Sequence, residues 1–444
     1  MYDLTTKSVP KTLFFFALPI LIGNLFQQCY NIADSIIVGN FLGTQALAAV
    51  GFCFQFHLIL IALSMGLTLG ISILISRFFG EKTTSHIRSM IDTGFLFSLI
   101  LSICVTIIGI CISPLLVRIF FVPSDTISMS TTYLRILFAG SVPIFLYNTL
   151  TNILRGLGDS KRPVYYLAFA SLLNIALDLL FVKVLSLGIA GAAIATLLSQ
   201  LFCFIGVLLS IQKNYPDFHI RIRHLTLDSA LLKNALKIGI PSMIQQLLRS
   251  IGFLSLQGMV NSFGSSVMAA YTATQKIDSF ALLPNLNLGQ ALSNFTAQNR
   301  GAKQLKRTRL GFFSGLIMGW CITIAISCIV IPLAPQIMSF FSANEDVIAI
   351  GAGYIRIVST FYFVETAMQI LNGFLLGYEK PFMPMISTIV SLLIVQVPIA
   401  FFLSKYTFFS YTGIWIAAPF GWGSGVAIRL FYFVKTLREN KQSN

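Results

Sequence analysis

The chain has 444 residues, 10% of them charged, 13% aromatic and 56% hydrophobic, with a formal net charge of +15. A soluble domain carries about 25% charged residues, so this composition excludes an ordinary soluble enzyme and predicts a polytopic membrane protein. The positive charge is concentrated in connectors between apolar runs, with no basic soluble face of the kind a nucleic-acid binder needs.

A bilayer core requires about 20 apolar residues per helix. Twelve runs qualify. In the first half they lie near residues 13–38, 46–76, 89–113, 132–154, 163–183 and 189–211; in the second, near 235–260, 266–298, 310–332, 350–373, 382–404 and 413–435. The second and eighth runs exceed a straight span and are expected to tilt or protrude. The first run has no small-residue cleavage site behind it and reads as a retained helix. All seven cysteines fall inside apolar runs and none forms a Cys-x-x-Cys pair, so they read as small apolar filler.

The halves repeat. Shifted by about 221 residues, Tyr133-Leu134-Arg135-Ile136 falls on Tyr354-Ile355-Arg356-Ile357, Pro114 on Pro335, Gly80 on Gly301 and Arg88 on Arg309. Pro19 falls on Pro241 and Gly191 on Gly413 after a one-residue slip. The predicted fold is therefore all-α, with two pseudo-symmetric six-helix bundles at 1–212 and 235–444 joined by a polar linker at 213–234. Six helices per half is an even number, so the repeats should be parallel, with the substrate path between them. Connectors on one side hold most Lys and Arg, while the opposite connectors hold only Arg118, Lys183 and Lys405. The positive-inside rule then predicts both termini in the cytoplasm and the protein in the cell membrane.

Four acids fall inside apolar runs: Asp34, Asp178, Asp278 and Glu365. A charge there costs roughly 2.5–3.5 kcal/mol on insertion scales unless paired, hydrated or protonated, and marks a functional candidate. Gln27, Tyr30 or Asn31, and Asp34 share one face of the first helix, and Pro19 earlier in that helix supplies a bending point. Asn174 and Asp178 stack four residues apart on the fifth helix, with Thr196 on the sixth; such oxygens suit a proton or Na⁺. Glu365 has Ile144 as its repeat counterpart, so the halves differ chemically. Arg249, Lys276, Asp278 and Glu365 read most simply as a buried ion-pair group, and His57 as a satisfied polar residue. The chain has no Gly-x-x-x-x-Gly-Lys-Ser/Thr loop, His-Glu-x-x-His pair or catalytic constellation. A non-enzyme driven by an ion gradient is expected.

These residues together resemble the multidrug and toxic compound extrusion (MATE) family over about residues 10–437. The resemblance rests on Leu18-Pro19, Asp34-Ser35-Ile36-Ile37-Val38-Gly39, Leu47-Ala48-Ala49-Val50-Gly51 and Arg155-Gly156-Leu157-Gly158-Asp159-Ser160-Lys161-Arg162-Pro163. Ala297-Gln298-Asn299-Arg300-Gly301-Ala302 adds to it, with Ala297 where the family usually has Gly. The resemblance implies a V-shaped pair of bundles that alternate in access and export amphiphilic, often cationic compounds in exchange for H⁺ or Na⁺, with no other cofactor. It implies a coupling site at Asp34, Asn174 and Asp178, with Tyr30 and Thr196 as neighbours. In the second bundle it implies a site at Glu365, to which Asp278 is added. The seventh helix departs from the pattern, offering Gln245, Gln246 and Arg249 but no acid. These three, with Gln27 and Asn31, are the expected cavity residues. Expected partners are small amphiphiles and the lipid bilayer, with the chain a monomer. The runner-up is a lipid-linked saccharide flippase, whose anionic substrate would use Arg249 and Lys276.

Overall fold

The structure is a computed structural model and describes residues 3–120 and 122–442. Among these residues the chain runs as twelve helical rods with no strand. The first six are Val9–Gly43, Ala48–Gly80, Thr84–Ile119, a bent pair Ile127–Ala139 and Ser141–Gly156, Lys161–Val184, and Gly188–Asn214. The second six are Ser229–Asn261, the pair Ser265–Ala281 and Leu283–Gly301, Leu305–Val330, a bent pair Glu345–Ser359 and Tyr362–Gly377, Phe382–Tyr406, and Thr412–Gln442. Every predicted run coincides with one rod. Eight helices, or ten counting each bent pair as one span, are long and apolar enough to cross a membrane. The seventh and eighth rods are helical but do not reach that apolarity: the eighth carries Asn285, Asn287, Asn294, Gln298 and Asn299, all buried.

The duplication is written into the backbone. Left-handed turn residues recur 221 positions apart: Gly43 (φ 83°) with Gly264 (97°), Lys82 (59°) with Lys303 (57°), and Gly158 (83°) with Glu379 (58°). The fourth and tenth rods bend at matching places, by 42° and 51°. From the neighbouring third and ninth rods, Thr106 Oγ1 donates to Phe138 O and Ser327 Oγ donates to Ser359 O, the carbonyls just before those bends. The third and ninth rods expose Ile103 and Ile108, and Ile324 and Ile329, at matching positions, as lipid-facing helices do.

The chain divides into two compact units, one of Leu18–Gly239 and one of Asp3–Ala17 with Ile240–Asn444. The first unit packs around Val38, Cys53, Leu134 and Phe145, and its helices approach closely where side chains are absent. A Cβ on Gly70 would stand 2.1 Å from Ala235 O. The second unit packs around Trp415, which stacks on Tyr271 with ring centroids 5.3 Å apart. There a Cβ on Gly373 would meet Gly289 O at 2.1 Å. Small residues at such crossings let apolar helices gain close backbone packing in lipid. The segment before the first helix belongs to this second unit. Leu4 is fully buried, its N–H donates to Gln298 Oε1 (3.1 Å), and its carbonyl accepts from Asn299 Nδ2 and Arg307 Nη2 (3.2 Å each). The Gln298-Asn299 motif is thereby a clamp on the leading segment.

Candidate functional site

Helical spacing aligns Gln27, Tyr30 and Asp34 on one face of the first helix. In the first unit the Asp34 and Asp178 carboxylates stand next to one another. As ionised groups neither can donate, so Asp34 Oδ1 and both Asp178 oxygens have no hydrogen-bond donor. Asp178 is 0% exposed and Asn174, one turn before it, 1%. The Asn174 amide is unpartnered at both ends, and the Tyr30 hydroxyl makes no well-formed hydrogen bond, although Gln27 and Gln200 stand beside it. Asp178 ends the α-helical part of the fifth rod, which continues as a π turn, Leu179–Val184. Such bulges offset the side chains that follow and recur at functional sites.

The buried Asp178 carboxylate, Oδ1 of the half-buried Asp34, the Asn174 amide and the Tyr30 phenol form a set that a proton or a hard monovalent cation would satisfy. Tyr133 of the fourth rod lies within electrostatic range of both acids, and Gln200 of the sixth stands beside Tyr30. Sequence reasoning missed both. Tyr133 could have been found as the repeat counterpart of Tyr354; Gln200 offered only a polar residue in an apolar run. Thr196, expected beside the carboxylates, donates to Ala192 O of its own helix at 3.2 Å. Asn31 and Gln27 are half-buried on the first helix. Pro19 lies inside that helix without ending it. His57 is buried beside Phe54 with its Nδ1 unpartnered, rather than satisfied as expected.

The acids of the second unit are held differently. Asp278 accepts hydrogen bonds from the Tyr354 hydroxyl (2.5 Å) and the Tyr362 hydroxyl, and Gln275 donates to Tyr354 (3.2 Å). Lys276 is exposed and takes no part. Residues two apart point to different sides of a helix, which is why the expected Lys276–Asp278 pairing does not form. Glu365 is 6% exposed; its Oε1 accepts from Gln369 Nε2 at 2.5 Å, and its Oε2 has no partner. Gln245 donates to Thr388 Oγ1 (3.0 Å) and Gln246 is exposed. Among the described residues Arg249 reaches Gln369 Oε1 alone, at 3.4 Å. None of the ion pairs found among the described residues joins Arg249, Lys276, Asp278 or Glu365.

The Gly158–Pro163 motif forms a polar knot at the start of the fifth rod. Asp159 Oδ2 accepts from Arg162 Nη1 (2.6 Å) and from the Tyr215 hydroxyl (2.7 Å), while its Oδ1 accepts the N–H groups of Lys161 and Arg162. Burial opposes the ionised form of this carboxyl. The Tyr215 bond, the backbone donors and the Arg162 charge outweigh burial and hold Asp159 below the ordinary carboxylate range.

A duplicated, all-helical membrane fold with unpartnered acids inside one repeat defines the class: an integral membrane transporter built from two homologous halves. The chain belongs to the MATE family, whose MatE profile matches residues 19–180 and again 241–402, once in each repeat. It is 31% identical over 422 residues to "Probable multidrug resistance protein YoeA" of Bacillus subtilis, covering 93% of this chain and 90% of that one. It is 30% identical over 432 residues to "Probable multidrug resistance protein YpnP" of the same organism, covering 97% and 94%. A solved structure described as the "outward-facing conformation of a multidrug resistance MATE family transporter of the MOP superfamily" superposes with a TM-score of 0.93 at 26% identity, over 99% of this chain and 98% of that one.

Proposed function

We propose that the protein is a secondary antiporter that exports amphiphilic, often cationic drugs or toxic compounds in exchange for protons or Na⁺, with both termini cytoplasmic. The multidrug resistance names of its relatives support the substrate class. One observation carries the coupling: half-buried Asp34 and fully buried Asp178 stand together beside Asn174 and Tyr30, with no donor on Asp34 Oδ1 or on either Asp178 oxygen. Taking up a cation there neutralises an otherwise repulsive pair. The first helix then rearranges near Pro19, where the ring removes the backbone bond that Phe15 O would otherwise accept. Substrate and ion compete through that helix, so inward ion flow drives outward substrate flow. Each charge crossing 100 mV supplies about 2.3 kcal/mol, roughly a 50-fold substrate gradient.

The test is efflux of ethidium from proteoliposomes under separately imposed proton and Na⁺ gradients. Wild-type protein is expected to respond to at least one gradient, and Asp34→Asn and Asp178→Asn to neither. Full gradient-driven efflux by both variants at equal incorporation rules the coupling site out.

A further inference from the structure

The interior of the second unit carries fixed positive charge that no contact neutralises. Arg429, on the twelfth rod, is 0% exposed. It donates to Met368 O (3.1 Å), Pro384 O (3.3 Å) and Thr388 Oγ1 (3.0 Å), all neutral acceptors, and its Nε donates to nothing. Arg249, on the seventh rod, has five N–H donors and makes the single long bond to Gln369. Both guanidiniums lie within electrostatic range of Glu365, yet neither forms an ion pair with it. Asp278 stands further off, its two oxygens taken by Tyr354 and Tyr362. Around Arg249 there are thus two permanent cations and one carboxylate, a surplus of one positive charge. Unpaired charge inside a membrane protein is costly and marks a place where a counter-charge belongs.

Arg429 is sealed by its own bonds. Arg249 is only partly buried and is flanked on its helix by the exposed Gln246 and Ser250, so its free donors are the ones a ligand can reach. A guanidinium fork matches a planar carboxylate in two parallel hydrogen bonds. A single negative charge cancels the surplus, whereas a phosphate dianion would overshoot it beside Glu365. We infer that the second unit holds a subsite for the carboxylate of an amphiphilic substrate, with Arg249 as the contacting residue and Arg429 and Glu365 as its fixed electrostatic background. The inference rests on the export reading above and extends it: the carboxylate of such a substrate is recognised by Arg249 in the second unit, independently of the acids in the first.

The test uses two dyes that differ only at this group, rhodamine 110, with a free carboxyl, and rhodamine 123, its methyl ester. Their binding to the purified full-length protein in lipid nanodiscs is read by fluorescence polarisation, which requires no ion gradient. The ratio of acid to ester affinity is expected to fall at least about ten-fold in Arg249→Gln, since a charge-assisted bidentate contact is lost. Arg249→Lys is expected to recover part of the ratio, and Lys276→Gln to leave it unchanged. An unchanged ratio in Arg249→Gln, an equal loss of both dyes, or no binding of the acid to wild-type protein overturns the subsite. Failure of ion-driven export leaves these binding ratios as they are, so the two readings fail separately.

Discussion

Asp178→Asn is expected to make the protein more stable while uncoupling it. Asp178 is fully buried, both of its oxygens lack donors, and its neighbour is a second carboxylate. Two unit charges about 4 Å apart at an effective dielectric of about 20 repel by about 4 kcal/mol. A proton shared by the pair removes much of that, so the substitution should gain about 1–4 kcal/mol, the range seen when buried charge is replaced by neutral groups. The new amide also supplies the N–H donor that Asp34 lacks. Unfolding entropy of about 2.1 cal/mol/K per residue over 444 residues is about 0.9 kcal/mol/K, so the melting temperature should rise by about 1–4 °C. The assay pairs fluorescence-detected thermal stability of purified protein at pH 7.5 with gradient-driven ethidium efflux. A melting temperature lowered by several degrees would mark Asp178 as an ordinary structural acid. Retained coupling in a stabilised variant would be equally damaging to the argument.

Asp159, held below the ordinary carboxylate range, contributes stability that is present above its unfolded value near 4 and is lost as pH falls through its lower folded value. Asp159→Asn should therefore lower the melting temperature at pH 7 and flatten its decline in acid, as a thermal scan from pH 7 to about pH 2 would record. Gly373→Leu should abolish a monodisperse peak in size-exclusion chromatography, because even a Cβ there meets Gly289 O at 2.1 Å; a folded variant would disprove the close crossing. Tyr362→Phe removes one of the two hydroxyl donors on Asp278 and should cost about 1–3 kcal/mol, a fall of about 1–3 °C by the same entropy. No change in the melt would show that the bond contributes nothing.

The rods were legible because an apolar run of about 20 residues has few alternatives in a bilayer. The repeat was legible in the constant spacing of tyrosines, prolines, glycines and arginines, and the left-handed turns at Lys82 and Lys303 follow that same spacing. Of the two bends, the first has a sequence mark in Pro143, which cannot donate to Ala139 O; the second, between Ser359 and Tyr362, has no proline and left no such mark. At the site, helical spacing aligned Tyr30 with Asp34 and Asn174 with Asp178, because both relations are local. The meeting of Asp34 with Asp178 is tertiary, and only the family resemblance pointed to it. The partners of Asp278 lie 76 and 84 residues away, beyond any periodicity. The bonds from Arg429 to Met368 O and Pro384 O were not legible, since backbone acceptors leave no trace in side-chain patterns.

The burial of Leu4 against Gln298 bears on how the molecule is made. The two residues are 294 positions apart. At about 5–20 residues per second of translation, the leading segment waits roughly 15–60 s after emerging before its clamp exists. During that interval the first apolar helix is already available to the insertion machinery while the peptide ahead of it has no docking place. A nascent chain arrested before Gln298 should therefore leave the Leu4 segment open to protease, because neither Gln298 nor Arg307 is yet there to hold it.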